Sequence, residues 1–109
     1  MTVSLLAQKL SVKPLALPHP EREVTGAYAG DLLSWVMGRA NEGDAWVTVM
    51  TNVNVIAVAT LTDVSMVIVT DDSEISPELV ALASEKGVNL FSSERSTYEI
   101  CTELGALIS

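Results

Sequence analysis

The spacing of apolar residues along the chain alternates between the pattern of amphipathic helices and that of buried strands. Behind Thr2, which favours a helix N-cap, regularly spaced apolar residues predict a first helix: Val3, Leu6, Ala7 and Leu10. The runs at 45–51 (AWVTVMT) and 65–71 (SMVIVTD) are instead continuous and rich in β-branched residues. Such runs are typical of strands buried on both faces of a sheet.

Two further helices are indicated by the residues at their ends. Asp31 opens the second helix, and Asn41 and Gly43 follow its end. The apolar stripe of this helix consists of Leu32, Leu33, Val36, Met37 and Ala40. Ser76-Pro77-Glu78 supplies an N-cap, a first-turn proline and a first-turn acid for the next helix, which Gly87 ends.

Two short strands and a last helix complete the pattern. VKPLAL (12–17) predicts a strand near a sheet edge, where its proline is tolerated. VNLFS (88–92) predicts another strand. The segment 96–99 (STYE) has the form of a capping box and precedes a final helix. The apolar face of that helix contains Cys101, Leu104 and Ile108.

The segment NVNVIAVATLTD (52–63) fits two structures. Its valines favour a strand, whereas Asn52 is a good N-cap and one helical face would contain Val53, Ile56, Ala57, Thr60 and Leu61. If the segment is helical, helices and strands alternate throughout, which predicts an α/β fold with a small, mostly parallel sheet covered on both faces. If it is a strand, residues 45–70 form a three-stranded antiparallel meander.

Composition predicts one domain over residues 1–109 and a buried surface between subunits. Hydrophobic residues make up 49% of the 109 positions and charged residues only 18%, below the roughly 25% usual for soluble domains. A fully covered parallel sheet accounts for this composition, and so does a subunit interface. We expect a homodimer, with Trp35 and Met37 as the candidate interface residues because Trp35 lies beside the apolar stripe.

The charge of the chain argues against several classes of partner. Its 14 acidic and 6 basic residues give a net charge of −8, and the basic residues are scattered singly. Nucleic-acid binding needs clustered lysines and arginines, so we expect neither nucleic-acid nor membrane-surface binding. The chain has no apolar run long enough to span a bilayer and no signal-peptide pattern, which indicates a cytoplasmic protein.

The residues of metal and catalytic sites are sparse. His19 lies in a proline loop without a second ligand nearby, and Cys101 lies in a helical pattern. The acidic turn of Asp71, Asp72 and Glu74 does not match a calcium-binding loop, and we interpret it as solvated. We therefore predict no metal, no cofactor and no catalytic residue.

The glycine-containing stretch at 22–31 (REVTGAYAGD) raises the question of a phosphate-binding loop. A Walker A loop has the form G-x-x-x-x-G-K-[ST]. Here only three residues separate Gly26 from Gly30, and Asp31 stands where the lysine would be. The stretch is therefore not a kinase loop. We interpret it as a flexible turn before a helix, whose amides either accept an anionic or carbonyl ligand or satisfy one another.

Polar turns are expected to gather where the parallel strands end, because ligands bind there in open α/β folds. Such turns begin helices and suit a small anion or a nucleotide-like ligand. The candidate ligand-binding residues are Thr25, Gly26, Gly30, Thr51, Asn52, Asn54, Ser92, Ser93, Arg95 and Ser96. The alternative is that Asn52 and Ser96 are only helix caps, each contributing about 1 kcal/mol to stability.

Three stretches resemble the DRTGG domain family over about residues 3–104: REVTGAYAGDLLSWVMGRA, then GDAWVTVMTNVNVIAVATLTDVSMVIV, and VNLFSSERSTYE. In the motif that names the family, Glu23 and Val24 stand in place of Asp and Arg, and Ala27 stands in place of the second glycine. The resemblance implies a three-layer α/β/α fold similar to the N-terminal domain of HPr kinase/phosphorylase, with the segment 52–63 helical.

The resemblance also implies a function. Members of the family occur beside catalytic or CBS domains and also alone, in regulatory or assembly roles. We hypothesise a non-catalytic regulatory or ligand-sensing domain that binds a small anionic or nucleotide-like ligand. The alternative is an assembly or accessory protein that contacts a partner enzyme without a small ligand.

Overall fold

The computed structural model describes residues 1–108, which form five helices and five strands. The helices are α1 (Val3–Leu10), α2 (Leu33–Arg39), α3 (Asn54–Thr62), α4 (Pro77–Lys86) and α5 (Thr97–Ile108). The strands are β1 (Lys13–Ala16), β2 (Gly26–Ala29), β3 (Asp44–Thr48), β4 (Met66–Val69) and β5 (Leu90–Ser92). The predicted alternation of helices and strands holds, with β2 as the one additional element.

The strands form one sheet in the order β1-β5-β4-β3-β2. The neighbours from β2 to β5 are parallel, whereas β1 is antiparallel to β5. Pro14 lies in β1, and an edge strand suits it because proline cannot donate a ladder hydrogen bond. The predicted edge position of this segment is confirmed.

Side chains of the central strands point alternately to two apolar layers. On one face, Trp46, Val67 and Leu90 pack in a cluster with residues of α2, α3 and α4. On the other face, Ile68 and Phe91 pack in a cluster with residues of α1 and α5. The predicted three-layer α/β/α fold with a mostly parallel sheet is therefore confirmed.

Helix ends follow the predicted capping signals. Thr2 and Ser76 each accept a hydrogen bond at 3.2 Å from the N–H three residues later. Gly87 ends α4 with a left-handed φ of 75°. Ser96 and Glu99 form a reciprocal capping box, in which the Ser96 N–H donates to Glu99 Oε1 at 3.2 Å and the Glu99 N–H donates to Ser96 Oγ at 3.1 Å.

The ambiguous segment 52–63 contains helix α3, and the alternative meander is wrong. The Asn52 side chain accepts a hydrogen bond from the Asn54 N–H at 2.9 Å, just before the helix. Because β3 and β4 are parallel, the chain between them must form a crossover connection, and such connections are usually helical. The buried residues of α3 are Val55, Ile56, Val58 and Ala59.

The stretch from Gly26 to Ala29 was predicted to be a flexible turn, and that prediction is wrong. It forms the edge strand β2, which pairs in parallel with β3. The helix predicted from Asp31 begins instead at Leu33. The Asp31 carboxylate accepts hydrogen bonds from the Thr48 hydroxyl and the Val49 N–H, both at 2.8 Å, so it joins the ends of β2 and β3 rather than capping α2.

Candidate ligand-binding cleft

The chain changes sides between β4 and β5 at the carboxyl edge of the sheet. β4 leads into α4 on one face, whereas β5 leads into α5 on the opposite face. Connections that diverge in this way leave a crevice between two adjacent parallel strands. Open α/β folds bind their ligands at such a topological switch point.

A cleft of about 480 Å³ lies at the carboxyl end of β5, and we call it the β5 cleft. Its polar lining consists of Ser11, Lys13, Asp72, Ser73, Ser92, Ser93, Glu94 and Arg95, and its apolar lining of Leu15, Ile75 and Val80. β1 reaches the cleft because it runs antiparallel to β5, with Lys13 opposite Ser92. The volume is within the usual range for a small-molecule site, about 300–1,000 Å³.

Two consecutive residues after β4 have left-handed backbone conformations. Asp71 has a φ of 61° and Asp72 a φ of 54°, a region that side chains other than glycine adopt at some cost. Backbone hydrogen bonds hold them there, from the Asp71 N–H to the Arg95 carbonyl at 2.8 Å and from the Asp72 N–H to the Ser93 carbonyl at 3.0 Å. These bonds connect the two diverging loops across the switch point.

The side chain of Asp71 fixes the start of α5. Its Oδ2 accepts hydrogen bonds from the Thr97 N–H at 3.2 Å and from the Thr97 hydroxyl at 3.0 Å. The hydroxyl of the buried Thr70 lies 2.7 Å from the Thr97 hydroxyl. Together with the Ser96–Glu99 capping box, these contacts occupy N–H groups at the beginning of α5 with protein acceptors.

Hydrogen bonds from Ser96 also lower the pKa of Glu99 in the first turn of α5. The N–H and the hydroxyl of Ser96 both donate to the Glu99 carboxylate and hold the pKa of Glu99 below its ordinary value of 4.5. Glu99 therefore stays ionised to a lower pH than a free glutamate, at the end of the helix where a negative charge is favourable.

The two basic residues of the cleft differ in their surroundings. The Arg95 guanidinium donates to the Leu10 carbonyl at 3.1 Å and forms a close ion pair with Glu103, so it connects the end of α1 to α5. Lys13 is exposed and forms no ion pair with any residue in 1–108. Lys13 is therefore the cation that can meet an anionic ligand without breaking an existing contact.

Three of the candidate residues predicted from the sequence line the β5 cleft: Ser92, Ser93 and Arg95. Ser96 lies next to the cleft, and its hydroxyl is used in the capping box. The Ser93 hydroxyl oxygen accepts the Arg95 N–H at 3.1 Å, which shapes the turn after β5. The structure thus places these residues in the turn after β5, and their role in ligand binding stays a prediction.

A second group of candidates lies at the same edge of the sheet but outside the cleft. Thr51, Asn52 and Asn54 follow β3, and Gly30 follows β2. Gly30 is already engaged, since its N–H donates to the Val47 carbonyl at 3.1 Å and its carbonyl accepts the Trp46 indole N–H at 2.9 Å. One site made from all of these turns is therefore not formed.

Five other polar residues of the cleft were missed by the sequence analysis: Ser11, Lys13, Asp72, Ser73 and Glu94. Ser11 and Lys13 come from the beginning of the chain, and only the antiparallel pairing of β1 with β5 brings them to this edge. The pattern of residues around Lys13 carries no sign of that pairing. Asp72 and Ser73 belong to the turn that was interpreted as solvated.

Comparison with known proteins identifies the family. The DRTGG domain family matches residues 24–107 of the chain. The chain belongs to the DRTGG family. Comparison with curated proteins gave no match.

The DRTGG fold is also found by comparison with solved structures. One similar structure is the regulatory region of a Clostridium perfringens pyrophosphatase, comprising its CBS and DRTGG domains in complex with the activator diadenosine tetraphosphate. The two share a TM-score of 0.70 and 14% sequence identity. The match covers 94% of this chain and 45% of that one, so this chain spans less than half of the regulatory region.

The DRTGG motif positions lie at the opposite end of the sheet from the β5 cleft. Thr25 and Gly26 are at the amino end of β2, where the Thr25 N–H donates to the Gly43 carbonyl at 3.0 Å. A Cβ on Gly26 would lie 2.7 Å from an oxygen of the buried Asp44. Because β2 runs parallel to β3, these two residues cannot join the turns at the carboxyl edge, and their predicted place among them is wrong.

The DRTGG domain exposes several apolar side chains on α2. Leu32, Trp35 and Met37 are all exposed, and the Arg39 guanidinium carbon lies 3.8 Å from the centroid of the Trp35 ring. The predicted interface residues Trp35 and Met37 are thus available for contact. Within residues 1–108, none of the helices has the length and hydropathy needed to cross a membrane.

Proposed function

We propose that this DRTGG domain is a non-catalytic regulatory module that senses a small anionic, nucleotide-like ligand in the β5 cleft. The observation that carries the proposal is the position of Lys13 beside serine hydroxyls in an open cleft at the topological switch point. We also propose that residues 1–109 act as one DRTGG domain. The family match begins at residue 24, whereas α1 and β1 come before it. α1 nevertheless packs in one of the two apolar layers, and β1 forms one edge of the sheet.

The chemistry of the cleft suits a ligand with both a phosphate and hydroxyl groups. An ammonium group and serine hydroxyls are hydrogen-bond donors for phosphate oxygens. In the cleft, Lys13 supplies the ammonium group, and Ser92 and Ser93 supply the hydroxyls. The carboxylates of Asp72 and Glu94 are acceptors, which suits the hydroxyl groups of a sugar. A sugar phosphate or a nucleotide has both kinds of group.

A role in regulating an enzyme is supported by the similar solved structure. That protein is the regulatory region of a pyrophosphatase and was solved with a nucleotide activator. We propose that ligand binding in this chain likewise changes the activity of a partner enzyme. Likeness to the N-terminal domain of HPr kinase/phosphorylase stays a prediction.

The test is thermal unfolding of the purified protein with a panel of nucleotides, sugar phosphates, acetyl phosphate and divalent metals. A ligand at 100 times its Kd stabilises the folded state by about 2.7 kcal/mol. For a domain of this size, that is on the order of 10 °C in Tm. We expect a concentration-dependent increase with one class of phosphate compound.

A matched pair of variants assigns any such effect to the cleft. Lys13→Gln removes the cation in the cleft, whereas Lys9→Gln removes an exposed cation on α1 that does not line it. We expect the Tm increase to be lost in Lys13→Gln and kept in Lys9→Gln. A panel without any effect, or an equal effect in both variants, would rule out the cleft as the sensing site.

The second candidate function is that of an assembly or accessory protein. It is favoured by exposed apolar side chains on α3, where Val53 and Leu61 border a groove of about 320 Å³ between α3 and α4. Such surfaces are typical of protein contacts. A flat ligand panel, together with an enzyme that co-purifies with the wild type but not with Leu61→Ser, would favour this function over ligand sensing.

A further inference from the structure

The two edges of the sheet differ in how well they are protected against pairing with another strand. β1, at one edge, contains Lys13 and Pro14, and a lysine or proline on an edge strand discourages further pairing. β2, at the other edge, has the sequence GAYA and contains neither a charge nor a proline. The edge formed by Gly26–Ala29 therefore lacks the charge and the proline that protect β1.

The backbone of β2 offers hydrogen-bonding groups at this open edge. The Gly30 N–H, at the end of β2, points to β3, since it donates to the Val47 carbonyl at 3.1 Å, in register with the pairing of Ala29 with Val47. Along a strand paired on one side only, successive residues direct their N–H and C=O groups alternately toward and away from the neighbour. The groups of Gly26 and Tyr28 are therefore directed toward β3, as those of Gly30 are, whereas the groups of Ala27 and Ala29 are directed away from β3.

Charge favours a second copy of this chain at this edge. The chain has a net charge of −8, so most approaches between two copies are repulsive. Residues 24–38 contain a single carboxylate, that of Asp31. Its Oδ1 accepts the hydrogen bonds from Thr48 and Val49 within the same chain. Two copies that meet along this segment therefore bring few like charges together.

Exposed apolar groups lie beside the strand on both faces of the sheet. On one face, two apolar side chains are exposed after β2: Leu32, at the N-cap position of α2, and Trp35, within α2. On the other face, a groove of about 220 Å³ lies between Ala29 of β2 and Cys101 of α5. A stable interface needs about 800 Å² from each partner, more than a short strand supplies, and these flanking surfaces extend the available area.

We propose that two copies of this chain pair their β2 strands in antiparallel orientation about a two-fold axis, which joins their two sheets into one. An isologous contact of this kind places the same residues on both sides, so Ala27 of each copy exchanges hydrogen bonds with Ala29 of the other. The proposal extends the expected homodimer by assigning its interface. It does not depend on the ligand of the β5 cleft.

The test is sedimentation velocity over a range of protein concentrations with two matched lysine variants. Ala29→Lys puts a charge on the exposed edge strand β2, opposite Ala27 of the second copy. Ala81→Lys adds the same charge at an exposed position of α4. We expect a dimer for the wild type and Ala81→Lys, and at least tenfold weaker association for Ala29→Lys with an unchanged Tm at low concentration.

Amide hydrogen exchange gives a second measurement on the unmodified protein. Pairing through β2 predicts that amide exchange at Ala27 and Ala29 slows as the protein concentration increases. A wild type that is monomeric at all concentrations would overturn the proposal, and so would a dimer that Ala29→Lys leaves intact. Ligand binding is measured separately in Ala29→Lys, so failure of the dimer and failure of the cleft are distinguishable.

Discussion

Asp71 accepts two hydrogen bonds from Thr97, one from the backbone N–H at 3.2 Å and one from the hydroxyl at 3.0 Å. This pair joins the loop after β4 to the start of α5, across the point where the chain changes sides of the sheet. The contact borders the β5 cleft on the side of Asp72 and Ser73. It therefore connects the shape of the candidate site to the position of a whole helix.

Two replacements of Asp71 separate the contribution of its hydrogen bonds to stability from the contribution of its backbone conformation. Asp71→Ala removes both bonds to Thr97 but keeps a side chain at a φ of 61°, and we expect a loss of about 1–3 kcal/mol in the free energy of unfolding. Asp71→Gly removes the same bonds and relieves the left-handed strain, so its loss should be smaller by up to about 1 kcal/mol. Urea denaturation measures both, and equal losses would contradict this separation.

Asp72 is expected to stabilise the fold less than glycine would. It has a φ of 54°, and its carboxylate has no hydrogen-bond partner among residues 1–108. We expect Asp72→Gly to raise the free energy of unfolding by up to about 1 kcal/mol while weakening a ligand that uses the carboxylate.

Asp63→Gly is the matched control for Asp72→Gly. Asp63 also has a left-handed φ, 59°, but its carboxylate forms an ion pair with Arg22 at 2.9 Å. The gain from glycine should therefore be offset at Asp63 and not at Asp72. Thermal denaturation of both variants checks this, and a less stable Asp72→Gly would show that the carboxylate has a structural role.

The two cations of the β5 cleft should have different roles. Arg95→Gln breaks contacts with Leu10 and Glu103, and we expect it to lower stability by about 1 kcal/mol. Lys13→Gln breaks no ion pair within residues 1–108 and should leave Tm nearly unchanged. In a ligand titration, Lys13→Gln should instead weaken the binding of a phosphate compound by about tenfold to a hundredfold.

The opposite result would assign the ligand contact to Arg95 instead of Lys13. If Arg95→Gln kept full stability and lost binding, while Lys13→Gln bound normally, the arginine would be the ligand residue. Calorimetric titration of both variants next to their denaturation curves distinguishes the two cases.

The capping box should make stability depend on pH through Glu99. The pKa of Glu99 is below 4.5 in the folded state because of the hydrogen bonds from Ser96. A lowered folded pKa gives a stabilisation that is fully present above the unfolded pKa and is lost as pH falls through the folded pKa. We therefore expect the Tm difference between wild type and Glu99→Gln to be constant near neutral pH and to shift against the wild type below about pH 4.5.

Tm measured in acetate and formate buffers against Glu99→Gln tests this dependence. Glutamine does not titrate, so other acidic groups cancel in the comparison. A difference that stays constant down to pH 3 would show that the hydrogen bonds of Ser96 do not depend on the charge of Glu99.

Most of the fold could be predicted because local signals and tertiary structure agree. Thr2, Ser76 and Gly87 are strong local caps. Thr2 and Ser76 begin α1 and α4, and Gly87 ends α4, where they were expected to do so. The segment 52–63 could not be decided from its own pattern, since its valines suit both structures. Its helix follows from the parallel pairing of β3 and β4, a long-range relationship that no local pattern contains.

β2 was missed because its residues carry almost no strand signal. Three of its four residues are glycine or alanine, and only Tyr28 favours a strand. The strand forms because β3 offers a partner edge. Asp31 was misassigned for a related reason, because its carboxylate finds tertiary donors on Thr48 and Val49 instead of the helix it precedes.

The candidate site could be predicted only in part. The turn with Ser92, Ser93 and Arg95 was found because it follows a strand and precedes a capping box. Lys13 was missed because its place depends on the antiparallel pairing of β1, and the sequence pattern gives no strand order. Thr25 was placed at the wrong end of the sheet because β2 itself was not recognised.

The most direct test of the β5 cleft is an NMR titration of the ¹⁵N-labelled protein with ATP and with a sugar phosphate. The account predicts that the largest amide shift changes occur at residues 11–13, 72–73 and 92–95, and that Lys13→Gln removes them. Saturable changes confined to these segments would establish the cleft as the ligand site. Changes centred on α2 or α3, or none with either compound, would contradict it.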